Sequence, residues 1–191
     1  VLVENEPIEN VIKETIYPNL DLVPVNIHLP GAEALLVERE DRNTRLKSAL
    51  KSIKEKYNFI FIDCPPSLGI MTVNALAAAD SVLIPLQCEY YALEGLAELL
   101  KTINTVQKYV NNNLKIEGVL LTMFNPTTKL SAEVMDQAVT YFKDKVYKTI
   151  IPRNVKLAEA PSYGQPINVY APDSVGAKSY NNLAMELIGN D

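Results

Sequence analysis

Phe59-Ile60-Phe61-Ile62-Asp63-Cys64-Pro65-Pro66-Ser67 is the stretch on which the fold turns. From Tyr57 to Asp63 the residues are nearly all apolar instead of alternating apolar with polar. That pattern predicts a strand covered on both faces, the situation of a parallel strand between two layers of helices. The run stops at a carboxylate, and Pro65 and Pro66 then fix the backbone as it leaves the strand.

The same rhythm extends in both directions. Upstream, Leu46, Leu50, Ile53 and Tyr57 share one face of a helix over 42–56, and 20–25 reads as a strand that Pro24 confines to an edge or an end. Downstream come a helix over 70–79, a buried strand over 81–86 and a long helix over 92–110. That long helix carries Leu93, Leu96, Leu99, Leu100, Ile103, Val106 and Val110 as one apolar stripe. A strand over 116–123, a helix over 131–143 with Ser131 at its N-cap, a strand over 146–151 and a closing helix over 174–188 ended by Gly189 complete the series. Strands alternating with helices imply right-handed crossovers. The expected fold is therefore α/β, with a mainly parallel sheet and helices on both faces. Ligands in such folds bind at the C-terminal ends of the strands. No repeat, low-complexity tract or Gly/Ser-rich linker divides the chain, so one domain over 1–191 is expected.

Composition narrows the function classes. With 191 residues, 48% hydrophobic and 21% charged, the chain can bury a substantial core. No apolar run approaches the roughly 18 residues of a membrane span, and the acidic stretch 1–10 is unlike a signal peptide; a cytoplasmic protein without a membrane partner is expected. The two cysteines, Cys64 and Cys88, lack metal-ligand spacing and read as buried thiols, and the lone His28 reads as a structural or surface residue. Net charge is −5, yet residues 129–178 carry seven basic against five acidic groups, the one net-positive stretch of the four into which the chain divides.

A strand of four apolar residues ending in Asp63 fits the way a P-loop NTPase sets a carboxylate beside magnesium, through a bound water. An aspartate in that place is also a common helix cap or turn residue. Here resemblance adds what spacing does not. The stretch from Ile62 to Gly69 resembles the Walker B region of the ParA/Soj/MinD group of deviant-Walker ATPases. Asn74-Ala75-Leu76, the stretch from Ile84 to Gly95, Glu117 to Met123 and Ile151 to Pro166 resemble Soj-type partition proteins in order and spacing, across nearly the whole chain.

The resemblance implies a ParA/Soj-type ATPase that uses ATP and Mg2+. ATP would bring two monomers together as a homodimer, the dimer would bind DNA without sequence preference, and a ParB-type centromere-binding partner would trigger hydrolysis, giving a nucleoid-associated protein. On that basis Asp63 would position the magnesium water, and Pro65 and Pro66 would shape the loop that senses the γ-phosphate. Gln87, Glu89 and Tyr90 would face the dimer partner. Met123 and Pro152 would flank the adenine; as residues alone they are equally core and turn positions. DNA contact would run through Lys129, Arg153 and Lys156, with solvated surface charge, or pairing of Arg153 with a carboxylate such as Glu159, as the alternative; Arg39, Arg42, Arg45 and Lys47 form the next cationic cluster.

Two departures stand out. Members of that group begin with a strand and a KGGxGKT[ST] phosphate loop, followed by a DxDPQ segment, yet none of the seven glycines here precedes Lys-Thr or Lys-Ser. The expectation is a P-loop NTPase-like domain truncated at its N-terminus, inactive alone. The loop Asn125-Pro126-Thr127-Thr128-Lys129 also has lysine where Soj-like proteins often have arginine. A MinD-like membrane-cycling ATPase and a non-catalytic DNA- or protein-binding module are the alternative readings. The first wants a basic amphipathic C-terminal helix, whereas this chain ends Ala184-Met185-Glu186-Leu187-Ile188-Gly189-Asn190-Asp191.

Overall fold

In the computed structural model, which describes residues 1–25 and 29–189, a short antiparallel hairpin comes first. It joins β1 (Lys13–Glu14) to β2 (Asp21–Leu22), with Lys13 opposite Leu22. Thr15 Oγ1 donates to Leu20 O at 2.7 Å, and Asn19 takes a left-handed conformation (φ 62°) that asparagine tolerates in turns. The strand expected over 20–25 is thus only two residues long, since Pro24 has no N–H to continue a ladder. His28 lies outside the described residues.

Two compact units follow from the chain path, Val1–Ser81 with Leu99–Lys115, and Val82–Glu98 with Ile116–Asp191. The first contains the β1–β2 hairpin and is otherwise largely helical. It holds α1 (Leu29–Val37), α2 (Arg45–Leu50) and α3 (Ile70–Ala78). The helix expected over 42–56 ends early because its last turns tighten to 3₁₀ geometry, with Ile53 N bonded to Leu50 O and Lys56 N to Ile53 O. Of the predicted apolar face only Ile53 is buried; Leu46, Leu50 and Tyr57 are half-buried, while Leu36 of α1 is fully buried.

Asn74 is the joint between α2 and α3. Its side chain is wholly buried; Oδ1 accepts from Leu46 N (3.1 Å), and Nδ2 donates to Arg42 O and to Ile70 O (2.9 Å). Every polar atom of the amide is engaged, the condition for burying one without penalty. Asn111 serves the other end of α3, donating to Leu76 O (3.0 Å) and Ala79 O (2.8 Å).

The stretch 57–66 departs from expectation. Tyr57 is extended (φ −126°, ψ 140°), but among the described residues no backbone hydrogen bond reaches residues 57–66, and Phe59, Ile60 and Phe61 are 45%, 38% and 76% exposed. A strand is defined by its ladder, and a segment of strong β propensity with no partner remains extended coil.

Most of the parallel sheet lies in the second unit. β3 (Ser81–Gln87) and β4 (Lys115–Thr122) are adjacent strands joined by α4 (Ala92–Tyr109). Lys115 N bonds to Asp80 O at one end and Cys88 N to Thr122 O at the other, so the strands run parallel. Gly118 to Leu121 are buried at consecutive positions, as a strand covered on both faces requires. Gly118 is obligatory, since a Cβ there would stand 2.5 Å from the Tyr147 ring and 2.8 Å from Lys145 O.

The strand expected over 146–151 appears as two parallel bridges, Val119 with Val146 and Phe124 with Pro152. Between them Lys148 N and Thr149 N donate to Glu186 Oε1 and Oε2 (2.7 and 2.9 Å), and pairing with β4 resumes where Ile151 N donates to Leu121 O (2.9 Å). Glu186 belongs to α8 (Val175–Gly189), which follows α5 (Lys129–Phe142), α6 (Val155–Glu159) and α7 (Ile167–Tyr170). Helix α5 starts two residues before Ser131, with Thr128 at the N-cap. Ser131 is a buried residue of its first turn and not the cap.

Candidate functional site

Three segments leave the sheet side by side in the second unit. Cys88 N donates to Thr122 O (3.0 Å), which sets the end of β3 against the end of β4. Phe124 N donates to Ile151 O (3.2 Å) and Arg153 N to Phe124 O (3.0 Å), which sets the end of β4 against 151–153. Met123 lies between these contacts in a left-handed conformation, φ 53°. For a residue other than Gly, Asn or Asp this costs on the order of 1 kcal/mol and persists only where flanking contacts impose it. Met123 and Pro152 therefore come together, on adjacent segments one residue out of register.

The residues after β3 meet the same edge. Gln87, Glu89 and Tyr90 are exposed, and the Glu89 carboxylate is ion-paired with the Arg153 guanidinium. Tyr90 is 72% exposed and meets Tyr91 edge to face, their centroids 5.2 Å apart. Glu159 is not the partner of Arg153. It accepts from Lys156 Nζ (2.8 Å) and Tyr170 Oη (2.9 Å), which holds its carboxyl below the usual range, while the same bond to Glu159 raises Lys156 and Tyr170. Lys129, at the first position of α5, is exposed and has no ion pair among the described residues.

Of the second cationic cluster, three arginines are committed inside the first unit. Arg39 donates to Val3 O (2.7 Å), Arg42 to Val37 O (2.8 Å), and Arg45 to Leu2 O and Asn5 Oδ1 while pairing with Asp41 at 2.7 Å. Arg39 and Arg45 thus hold the N-terminal segment, Arg42 holds the end of α1, and Arg45 is also charge-paired.

Asp63, Pro65 and Pro66 lie in the first unit, on the loop that leads into α3. Asp63 is exposed, and Thr72 Oγ1, from the first turn of α3, donates to Ser67 O (2.6 Å), which fixes how the loop enters the helix. Cys88 is buried, as expected; Cys64 is exposed, because the segment carrying it has no covering layer here. Desolvation and then the Asp63 charge push the Cys64 thiol up. Among the described residues no three His, Cys, Asp or Glu gather to hold a metal. A lone exposed carboxylate nonetheless fits Mg2+, which takes one or two protein oxygens and completes its shell with water and phosphate.

Sequence reasoning missed Ser131 as a buried contact, Asn74 and Asn111 as joints, and Glu186 as an anchor. Each is a polar residue whose partners lie far along the chain, and only its burial would have marked it.

A family model described as AAA domain matches residues 1–116. The sporulation initiation inhibitor protein Soj of Bacillus subtilis (strain 168) is 54% identical over 190 residues, covering 100% of this chain and 75% of that protein. The chain belongs to the Soj/ParA family of chromosome-partitioning ATPases. Another Soj/ParA relative, the chromosome-partitioning ATPase Soj of Treponema pallidum (strain Nichols), is 53% identical over 96% of this chain and 73% of its own length. Among solved structures, cobyrinic acid a,c-diamide synthase from Mycobacterium smegmatis with bound ATP analog and magnesium superposes with a TM-score of 0.82. It is 35% identical and covers 98% of this chain and 70% of that one. The α/β fold with parallel strands is thus the fold of the family's P-loop ATPases. No helix among the described residues is long and apolar enough to cross a membrane.

Proposed function

We propose that the chain acts as the nucleotide-driven switch of a chromosome- or plasmid-partition system: it hydrolyses ATP with Mg2+, dimerises when ATP is bound, associates with DNA through phosphates, and is triggered by a ParB-type partner. The observation that carries the reading is the convergence of Gln87 to Tyr90, Met123 and Pro152 to Arg153 at one strand-end edge, where α/β folds bind ligands. Family membership supplies the reaction. Asp63 serves as the carboxylate for the magnesium water, Pro65 and Pro66 shape the γ-phosphate loop, and Met123 and Pro152 flank the adenine. Gln87, Glu89 and Tyr90 face the dimer partner, while Lys129, Arg153 and Lys156 meet DNA. Such a protein works in the cytoplasm on the nucleoid.

The test is Mg-ATP turnover by the full-length protein and its Asp63→Ala variant. Turnover falls by about tenfold or more, equivalent to ~1.4 kcal/mol or more on the barrier. Unchanged turnover in the variant removes Asp63 from the site. The 191 residues alone, which hold no Gly-Lys-Thr or Gly-Lys-Ser, bind Mg-ATP too weakly to measure by calorimetry.

A further inference from the structure

The short segment that follows β3 holds both loops that carry the DNA-facing cations. Ser131 is 3% exposed, and its hydroxyl is saturated: it donates to Cys88 O (3.3 Å) and accepts from Asn125 N (3.4 Å) and Thr128 Oγ1 (2.9 Å). One hydroxyl thereby ties the 125–128 loop, which delivers Lys129, to the backbone at Cys88. The next residue, Glu89, pairs with Arg153, whose loop runs on through the Asn154 cap to Lys156. Cys88 itself is 2% exposed and bonded through its N–H to Thr122, so its carbonyl is a fixed point.

We infer that Ser131 and Glu89 are positioning residues that lock the 125–128 and 152–154 loops to the segment Gln87–Tyr91, so that a change in that segment repositions together the helix starts that carry Lys129 and Lys156. This rests on the proposed function, in which Gln87, Glu89 and Tyr90 face the dimer partner. The two ties differ in strength by design of their surroundings. The Ser131 tie is buried and shielded from water, whereas the Glu89–Arg153 pair is 49% and 57% exposed and open to salt and competing anions. A phosphate of the DNA backbone is one such anion, and bidentate capture of phosphate by the Arg153 guanidinium competes directly with Glu89. The exposed tie is therefore the one that exchanges when DNA arrives, while the buried tie keeps the Lys129 loop in place. Coupling between two sites requires an element that both of them bias, and Cys88–Glu89 has that position.

The experiment measures nonspecific duplex DNA affinity of the full-length protein with and without Mg-ATP, and takes the ratio. Ser131→Ala and Glu89→Ala each lower the ratio by about threefold or more, within the usual range for single mutations that modulate coupling. Ser131→Thr, which keeps the hydroxyl, and Glu89→Asp, which keeps the charge, recover part of it. Loss of stability alone would not separate the conservative from the non-conservative variants in a ratio taken on folded protein. Glu89 is exposed, so its variants fold even where a buried change at Ser131 does not. A ratio kept at the wild-type value by both alanine variants overturns the inference and leaves the proposed function intact. A wild-type ratio of one overturns the proposed function and the inference with it.

Discussion

Asn74 reaches back across 28 residues to accept a hydrogen bond from Leu46 N at 3.1 Å, from a position with no solvent exposure. One amide therefore closes the start of α2 onto α3. Asn74→Ala leaves Leu46 N and Arg42 O without their partner in a part-buried site and opens a small cavity. We expect a loss of about 2–4 kcal/mol, since unsatisfied buried groups cost about 1–3 kcal/mol each and part of that is regained by relaxation. Urea denaturation of both proteins measures it, and a loss under 1 kcal/mol would mean that water replaces the amide.

Glu186 predicts an acid-sensitive anchor. Burial raises its carboxyl, but hydrogen bonds from Thr149 and Lys148 N–H outweigh this and leave it below the ordinary value. A group whose folded value lies below its unfolded one, about 4.3 for glutamate, stabilises fully above the unfolded value and loses that contribution as pH falls through the folded one. Glu186→Gln should therefore cost about 1–2 kcal/mol at pH 7 and much less near pH 3. Denaturant midpoints at the two pH values check this, and an equal cost at both would remove the charge from the argument.

Lys129 and Lys156 separate by their partners. Lys156 is already neutralised by Glu159 and lies 5.7 Å over the Tyr170 ring, whereas Lys129 has no ion pair among the described residues. In the ATP-bound full-length protein, Lys129→Ala should flatten the salt dependence of DNA binding by about 0.9 in log–log slope, the value for one lost phosphate contact. Lys156→Ala should change it less, with sequence preference unaltered in both. Equal effects would mean that Glu159 releases Lys156 when DNA binds.

What the chain's local order determined is the set of elements whose evidence is periodic and near in sequence. The stripe through Leu96, Ile103 and Val106 made α4 legible, the apolar runs made β3 and β4 legible, and together they implied the parallel α/β arrangement. The positions of Met123 and of Ile151-Pro152-Arg153 just after apolar runs were legible for the same reason, while the roles expected of them came from the resemblance. Only the tertiary structure decided which of these ends meet. That Phe124 pairs with Pro152, that Met123 is left-handed between two fixed neighbours, and that Arg153 takes Glu89 and not Glu159 depend on contacts 28 to 64 residues apart. The run at 57–63 is the sharpest case. Its composition specifies an extended backbone, but a strand also needs a neighbour to accept and donate hydrogen bonds, and no property of those seven residues supplies one.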